Sequence, residues 1–131
     1  MIAVKEQDKY YYTLFKLAIE YNDPEEIIHL IKRGASVDLQ DEKGITPLMF
    51  AIYKRRMWIA QLLIDNGADQ DLEDKNGWTA LTWSVHTHCP NGISILVKAA
   101  LKKNKNQEKK NSSIKPGARL FLARRKSKTK Q

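Results

Sequence analysis

Gly44-Ile45-Thr46-Pro47-Leu48 returns as Gly77-Trp78-Thr79-Ala80-Leu81, and Gly34-Ala35 returns as Gly67-Ala68, each at an offset of 33 residues. A fixed period of that length marks a tandem array of like units rather than one irregular core. Laid on itself at this offset, the chain needs no gap. Asp8, Asp41 and Asp74 coincide, as do Thr13, Thr46 and Thr79, and Phe15, Leu48 and Leu81. Ala18, Ala51 and Ser84 follow, then Ile19, Ile52 and Val85, Leu30, Leu63 and Leu96, and Ile31, Ile64 and Val97. The matched positions are mostly apolar or small and the mismatched ones mostly polar, which is the sorting that packing of one unit on the next demands.

Within the middle unit, Thr46 is placed to cap a short helix that starts at Pro47, a residue favoured there because its missing N–H has no role in the first turn. Leu48, Ala51 and Ile52 follow at i, i+3 and i+4 and make one buried stripe. Ile59, Leu62, Leu63 and Ile64 form a second stripe, ended by Asn66-Gly67. The segment from Ala68 to Gly77 is too polar and short for a third helix, and Gly77 predicts a turn. The fold class expected is therefore all-α, with two short helices and a turn per unit.

This pattern resembles the ankyrin-repeat family. The match is closest over Asp41 to Asp74, where Thr-Pro-Leu and Gly-Ala-Asp fall at the family's positions, and it extends over about residues 8–103. The resemblance implies a three-repeat domain at 1–103, with repeats near 8–40, 41–73 and 74–103; beyond it the composition, with no apolar face to bury, predicts a basic, mostly disordered tail at 104–131. The departures are informative. Met49 and Thr82 replace the histidine that follows Thr-Pro-Leu, so weaker hydrogen bonding between repeats is expected. Arg55-Arg56 and His88-Cys89 replace the Gly-His between the two helices. The first unit lacks the turn glycine near Tyr11, and the third lacks the closing Gly-Ala, as end units facing water tend to.

The resemblance further implies a non-enzymatic module that binds another protein through hairpin tips and the first helix of each repeat. The family's variable surface positions fall here on Tyr10, Tyr12, Glu20 and Tyr21, then Glu42, Lys43, Ile45, Tyr53 and Lys54, then Lys75, Asn76, Trp78, His86 and Thr87. Of these Tyr12, Tyr21, Ile45, Tyr53, Lys54, Trp78 and His86 are the candidate contacts. Tyr12, Ile45 and Trp78 are equivalent, so stacking is expected to align them in one ridge, and exposed aromatics are what interface hot spots favour. Trp58 is expected between units or partly exposed, and Trp83 inside the stack.

The formal charge of +8 is unevenly spread: residues 98–131 hold 13 Lys or Arg and one acid, Glu108, leaving the preceding body net acidic. Lys109-Lys110 with Arg124-Arg125-Lys126-Ser127-Lys128 resembles a bipartite nuclear localisation signal for an import receptor, and Ser127 sits in a basophilic-kinase pattern. The same cations suit nonspecific contact with nucleic acid or an anionic membrane, Leu120-Phe121-Leu122 adding an apolar element for the latter. A tail-driven nucleic-acid or chromatin associate is thus the alternative function. Other classes find little support. No apolar run reaches the roughly 18 residues of a membrane-spanning helix, and residues 1–9 lack a secretory core. The lone Cys89 leaves no intrachain disulfide and no disulfide-linked partner is expected, fitting a reducing cytoplasmic or nuclear setting. His86, His88 and Cys89 lack the second ligand pair that a structural zinc wants. No phosphate loop or nucleophile elbow is present, so neither cofactor nor catalytic residue is expected.

Overall fold

The computed structural model describes residues 4–111, and every regular element among them is a helix. Six α-helices follow one another: α1 (Val4–Glu20), α2 (Pro24–Lys32), α3 (Pro47–Tyr53), α4 (Met57–Asp65), α5 (Ala80–His86) and α6 (Pro90–Asn111). They pair as α1 with α2 and α3 with α4, while the first helices α1, α3 and α5 pack in succession and α2 lies against α4. One compact unit closes at Val97 and a second begins at Lys98, within α6.

Local chemistry sets the boundaries. Thr46 caps α3 by accepting from the Met49 N–H at 3.2 Å, and Thr79 caps α5 by accepting from the Thr82 N–H at 3.3 Å. The side chains standing in the histidine's place complete each cap: the Met49 thioether accepts from the Thr46 N–H at 3.5 Å, and the Thr82 hydroxyl from the Thr79 N–H at 3.4 Å. Between the helices of each repeat the chain passes through a left-handed residue, Asn22, Arg55 or His88, spaced by the period. At each hairpin an aspartate organises the turn. Asp41 Oδ1 accepts from the N–H groups of Lys43 and Ile45, and Asp74 Oδ1 from those of Asn76 and Trp78. Gly44 serves twice: its φ is +79°, and a Cβ there would lie 2.9 Å from the Asp74 Cα of the next hairpin.

The core is one stack of apolar side chains, with Phe15, Ile19, Ile27, Leu30, Leu48, Ile52, Ile59 and Leu63 all fully buried. Burial thins on the outer side of the third repeat. Leu48 and Ile52 are each 1% exposed, whereas their equivalents Leu81 and Val85 are 43% and 53% exposed, because among the described residues no further helix lies over α5 as α5 lies over α3.

The missing turn of the first repeat is borne out, and two expectations change. The first repeat has no hairpin where the others have one, because α1 runs unbroken through Tyr11, the position of Gly44 and Gly77, and Thr13 bonds the Lys9 carbonyl within that helix instead of capping one. The linker expected from residue 104 is helical as far as Asn111: Lys102, Lys103, Lys105, Gln107 and Glu108 are good helix formers, and no glycine or proline follows Gly92 until Pro116. The loss of the histidine does not leave the repeats untied. Arg56 donates to the carbonyls of Ile19 and Glu20 at 3.1 and 2.9 Å, binding the end of α1. Arg55 reaches the opposite way, to the carbonyls of Thr87 and His88. Guanidinium groups suit this role because the last carbonyls of a helix are unpaired and carry its negative dipole end. The hairpins add Lys75 N–H to the Lys43 carbonyl at 3.0 Å, and Gln40 Nε2 to the carbonyls of Gly44 and Glu73.

Candidate functional site

The first helices and the second hairpin share one side of the array, and aromatic rings from the second and third repeats meet there. Phe50 and Tyr53 lie on α3 with centroids 6.5 Å apart. Tyr53 meets Trp83 of α5 edge to face at 5.9 Å, and Trp83 meets Trp78 in the same manner at 5.0 Å. Trp78 in turn stacks flat on His86 at 4.3 Å. Five rings therefore run in unbroken contact from Phe50 to His86.

The period explains the row. Leu17, Phe50 and Trp83 are equivalent, as are Tyr12, Ile45 and Trp78, so two columns of large side chains run side by side. Trp83 is fixed at both ends. Its indole N–H donates to Asp74 Oδ2 at 3.0 Å, and Asp74 is buried, its other oxygen holding the hairpin turn. Turn geometry and ring orientation thus depend on one carboxylate.

Beside the rings lies a hollow of about 200 Å³, lined by Tyr12, Ile45, Met49, Phe50, Tyr53 and Trp83 with Lys16, Asp41 and Lys43. A broader depression of about 990 Å³ adjoins it, with Asp8, Lys9, Asp38, Gln40 and Glu42 among its walls. Two lysines stand over the aromatic floor: Lys16 Nζ is 5.4 Å from the Phe50 centroid, and Lys54 Nζ is 5.8 Å from Phe50 and 5.7 Å from Tyr53. Lys54 also pairs with Glu20 at 3.0 Å. The Tyr12 hydroxyl is sealed from water without a well-aligned hydrogen bond. Burial first, and then the Asp41 carboxylate close by, hold its ionisation well above the ordinary tyrosine range.

The candidate contacts therefore divide. Tyr12, Ile45 and Tyr53 line the hollow, Lys54 overhangs Tyr53, and Trp78 and His86 continue the aromatic row. The ridge expected of Tyr12, Ile45 and Trp78 is interrupted in one respect: the first two share the hollow, and Trp78 joins it only through Trp83. Tyr21, 77% exposed just past the end of α1, lines neither depression. Trp83 is half-buried rather than internal, since the Phe50 position that aligns with it faces the same side. Phe50 and Lys16 were not expected at the site. The 33-residue alignment carries a signal for Phe50, which it places in the column of Trp83, and none for Lys16, which falls in the column of Met49. Trp58 is 75% exposed on α4 and touches none of these rings.

Among the described residues, no group of three or more His, Cys, Asp or Glu side chains is placed to hold a metal. Cys89 is buried, its Sγ 3.8 Å from the Met57 sulfur. The basic-cluster residues Arg124, Arg125, Lys126 and Lys128, and the candidate phosphorylation site Ser127, lie outside the described residues. The backbone at Lys109 and Lys110 belongs to α6.

A family model described as Ankyrin repeats (3 copies) matches residues 15–108, well over half of the chain. No curated protein matches the chain at a significant level.

Proposed function

Because this chain belongs to the ankyrin-repeat family, whose repeats generally bind other proteins, we propose that it is a non-enzymatic docking module gripping a partner along the aromatic row of its first helices. One observation carries this: Phe50, Tyr53, Trp83, Trp78 and His86 form a continuous, partly exposed strip fixed by the packing of α3 on α5. Large rings with few rotors bury much area for little entropy, and a strip already assembled loses still less on docking. Tyr12, Ile45 and Lys54 flank the strip, and Tyr21 stands apart from it.

The test is affinity capture with the immobilised full chain and with a Tyr53→Ala/Trp78→Ala double variant. Each substitution at a hot spot is expected to weaken a captured protein by about 2 kcal/mol, with helix content unchanged by circular dichroism. Partners retained equally by a folded double variant would refute the proposed face.

A second attachment is favoured by the composition of α6. Lys98, Lys102, Lys105 and Lys109 recur at i, i+4, i+7 and i+11 of this helix, the spacing of one helical face. Such a stripe suits phosphate backbones, or an import receptor when joined to Arg124, Arg125, Lys126 and Lys128, which would place the protein in the nucleus as well as the cytoplasm. Affinity for a labelled DNA duplex should then fall steeply with salt and be lost on truncation after Lys103. A salt-independent or truncation-insensitive signal would dismiss it.

A further inference from the structure

We infer that the partner segment is acidic beside a large apolar residue; this rests on the docking face proposed above and specifies what fits there. The hollow next to the rings, about 200 Å³, has room for one bulky side chain and is smaller than the roughly 300 Å³ at which small-molecule clefts begin. Its floor is apolar and its edge is cationic. Lys16 from α1 and Lys43 from the Asp41 hairpin line it, and Lys54, just past the end of α3, holds its ammonium over Phe50 and Tyr53 beside it.

The opposing charges there are already engaged. Asp41 accepts two backbone N–H groups and faces Tyr12, and Glu20 is paired with Lys54. Among the described residues Lys16 forms no ion pair, its ammonium resting only on the face of Phe50. A carboxylate placed above Phe50 would meet Lys16 directly and Lys54 in competition with Glu20. Its apolar neighbour would fill the hollow against Ile45, Tyr53 and Trp83. Such an excess of positive charge stands out on a body that is acidic as a whole, which is the complementarity that selects and steers an anionic partner.

Two rival occupants fit less well. A cationic ligand seeking an aromatic cage would find Phe50 and Tyr53 already faced by lysines, and would be repelled by them. A uniformly acidic segment would meet Asp8, Asp38 and Glu42 in the adjoining depression. The acid requirement is therefore confined to residues beside the anchoring apolar side chain.

Panning a display library of random peptides on the immobilised full chain tests this directly. Enriched peptides are expected to place Asp or Glu within two positions of Leu, Ile, Phe or Trp. Made synthetically, they should lose roughly tenfold in affinity against Lys16→Glu, the size of effect for one or two partly exposed charge pairs reversed in sign. Raised salt should weaken them in the wild type and less so in the variant. Lack of enrichment, enrichment without acids, or unchanged affinity for Lys16→Glu overturns the inference. Peptides that bind regardless of acid content but fail on Tyr53→Ala would remove only the charge preference. Peptides indifferent to Tyr53→Ala would remove the docking face itself.

Discussion

Truncating two equivalent leucines separates a stacked array from any fold that happens to bury the same residues. Leu48 on α3 is 1% exposed beneath α5, and Leu81, its counterpart 33 residues on, is 43% exposed with no further helix over it among the described residues. Leu48→Ala removes a wholly buried isobutyl group and leaves a cavity walled by two repeats, for which about 2–5 kcal/mol is the usual cost. Leu81→Ala forfeits only the half of its area shielded from water and opens no closed cavity, so about 1 kcal/mol is expected. Urea unfolding followed by far-ultraviolet circular dichroism measures both, through shifts of midpoint at a constant slope. Equal costs, or a larger one at Leu81, would refute the view that the third repeat ends the packed stack. Repeating the titration at several protein concentrations adds a control: a concentration-dependent midpoint would mean that a second molecule covers the α5 face.

Arg56→Ala should destabilise the array by about 1–3 kcal/mol, since it deletes two charged hydrogen bonds to the last carbonyls of α1; Arg56→Lys should recover only part, having one nitrogen where two are used, and full recovery in urea unfolding would contradict the bidentate geometry. Tyr12 adds a pH signature. Its ionisation is held above the ordinary value of 10.0 by burial and by Asp41, so above that pH the unfolded chain releases a proton that the folded chain keeps, and stability falls as pH rises. Unfolding of the wild type and of Tyr12→Phe should therefore diverge between pH 8 and 11, with the wild type losing more; parallel curves would show that Tyr12 is not buried in solution.

The sequence pattern foretold those features that depend on a residue and its near neighbours. Thr46 caps the helix assigned to it, Gly77 turns at positive φ, and the stripe from Leu48 to Ile52 is buried, because each follows from local geometry; Thr79 and Gly44 repeat the first two at the fixed period. Features that depend on the neighbouring repeat were less legible. Arg55 and Arg56 read as a departure from a Gly-His turn, and their carbonyl partners lie 32 to 37 residues away, so only the stack reveals them as ties. Trp83 was placed in the core by its alignment with Phe50, yet that column is open to solvent along one edge. Glu20 and Lys54 each look like a solvated charge until α1 and α3 are set side by side.

That division bears on how the docking face came to be available. In the family pattern one histidine per repeat helps tie neighbouring turns together, and here its positions, Met49 and Thr82, lie in the first turns of α3 and α5. The ties are made elsewhere. Met49 and Thr82 complete the caps locally, while Arg55, Arg56 and Gln40 make the ties from the helix junctions and the hairpin. Met49 also lines the hollow. Stacking is thus held from its edges, and within the aromatic row the orientation of Trp83 is set by Asp74. A strip ordered in this way before docking would lose affinity to Asp74→Asn even though Asp74 is buried and touches no ligand. Binding of the selected peptides should weaken in that variant while Trp83→Phe, which keeps a ring but lacks the anchored N–H, shows no further loss when combined with it. Additive losses from the two substitutions would mean that Asp74 does not act through Trp83.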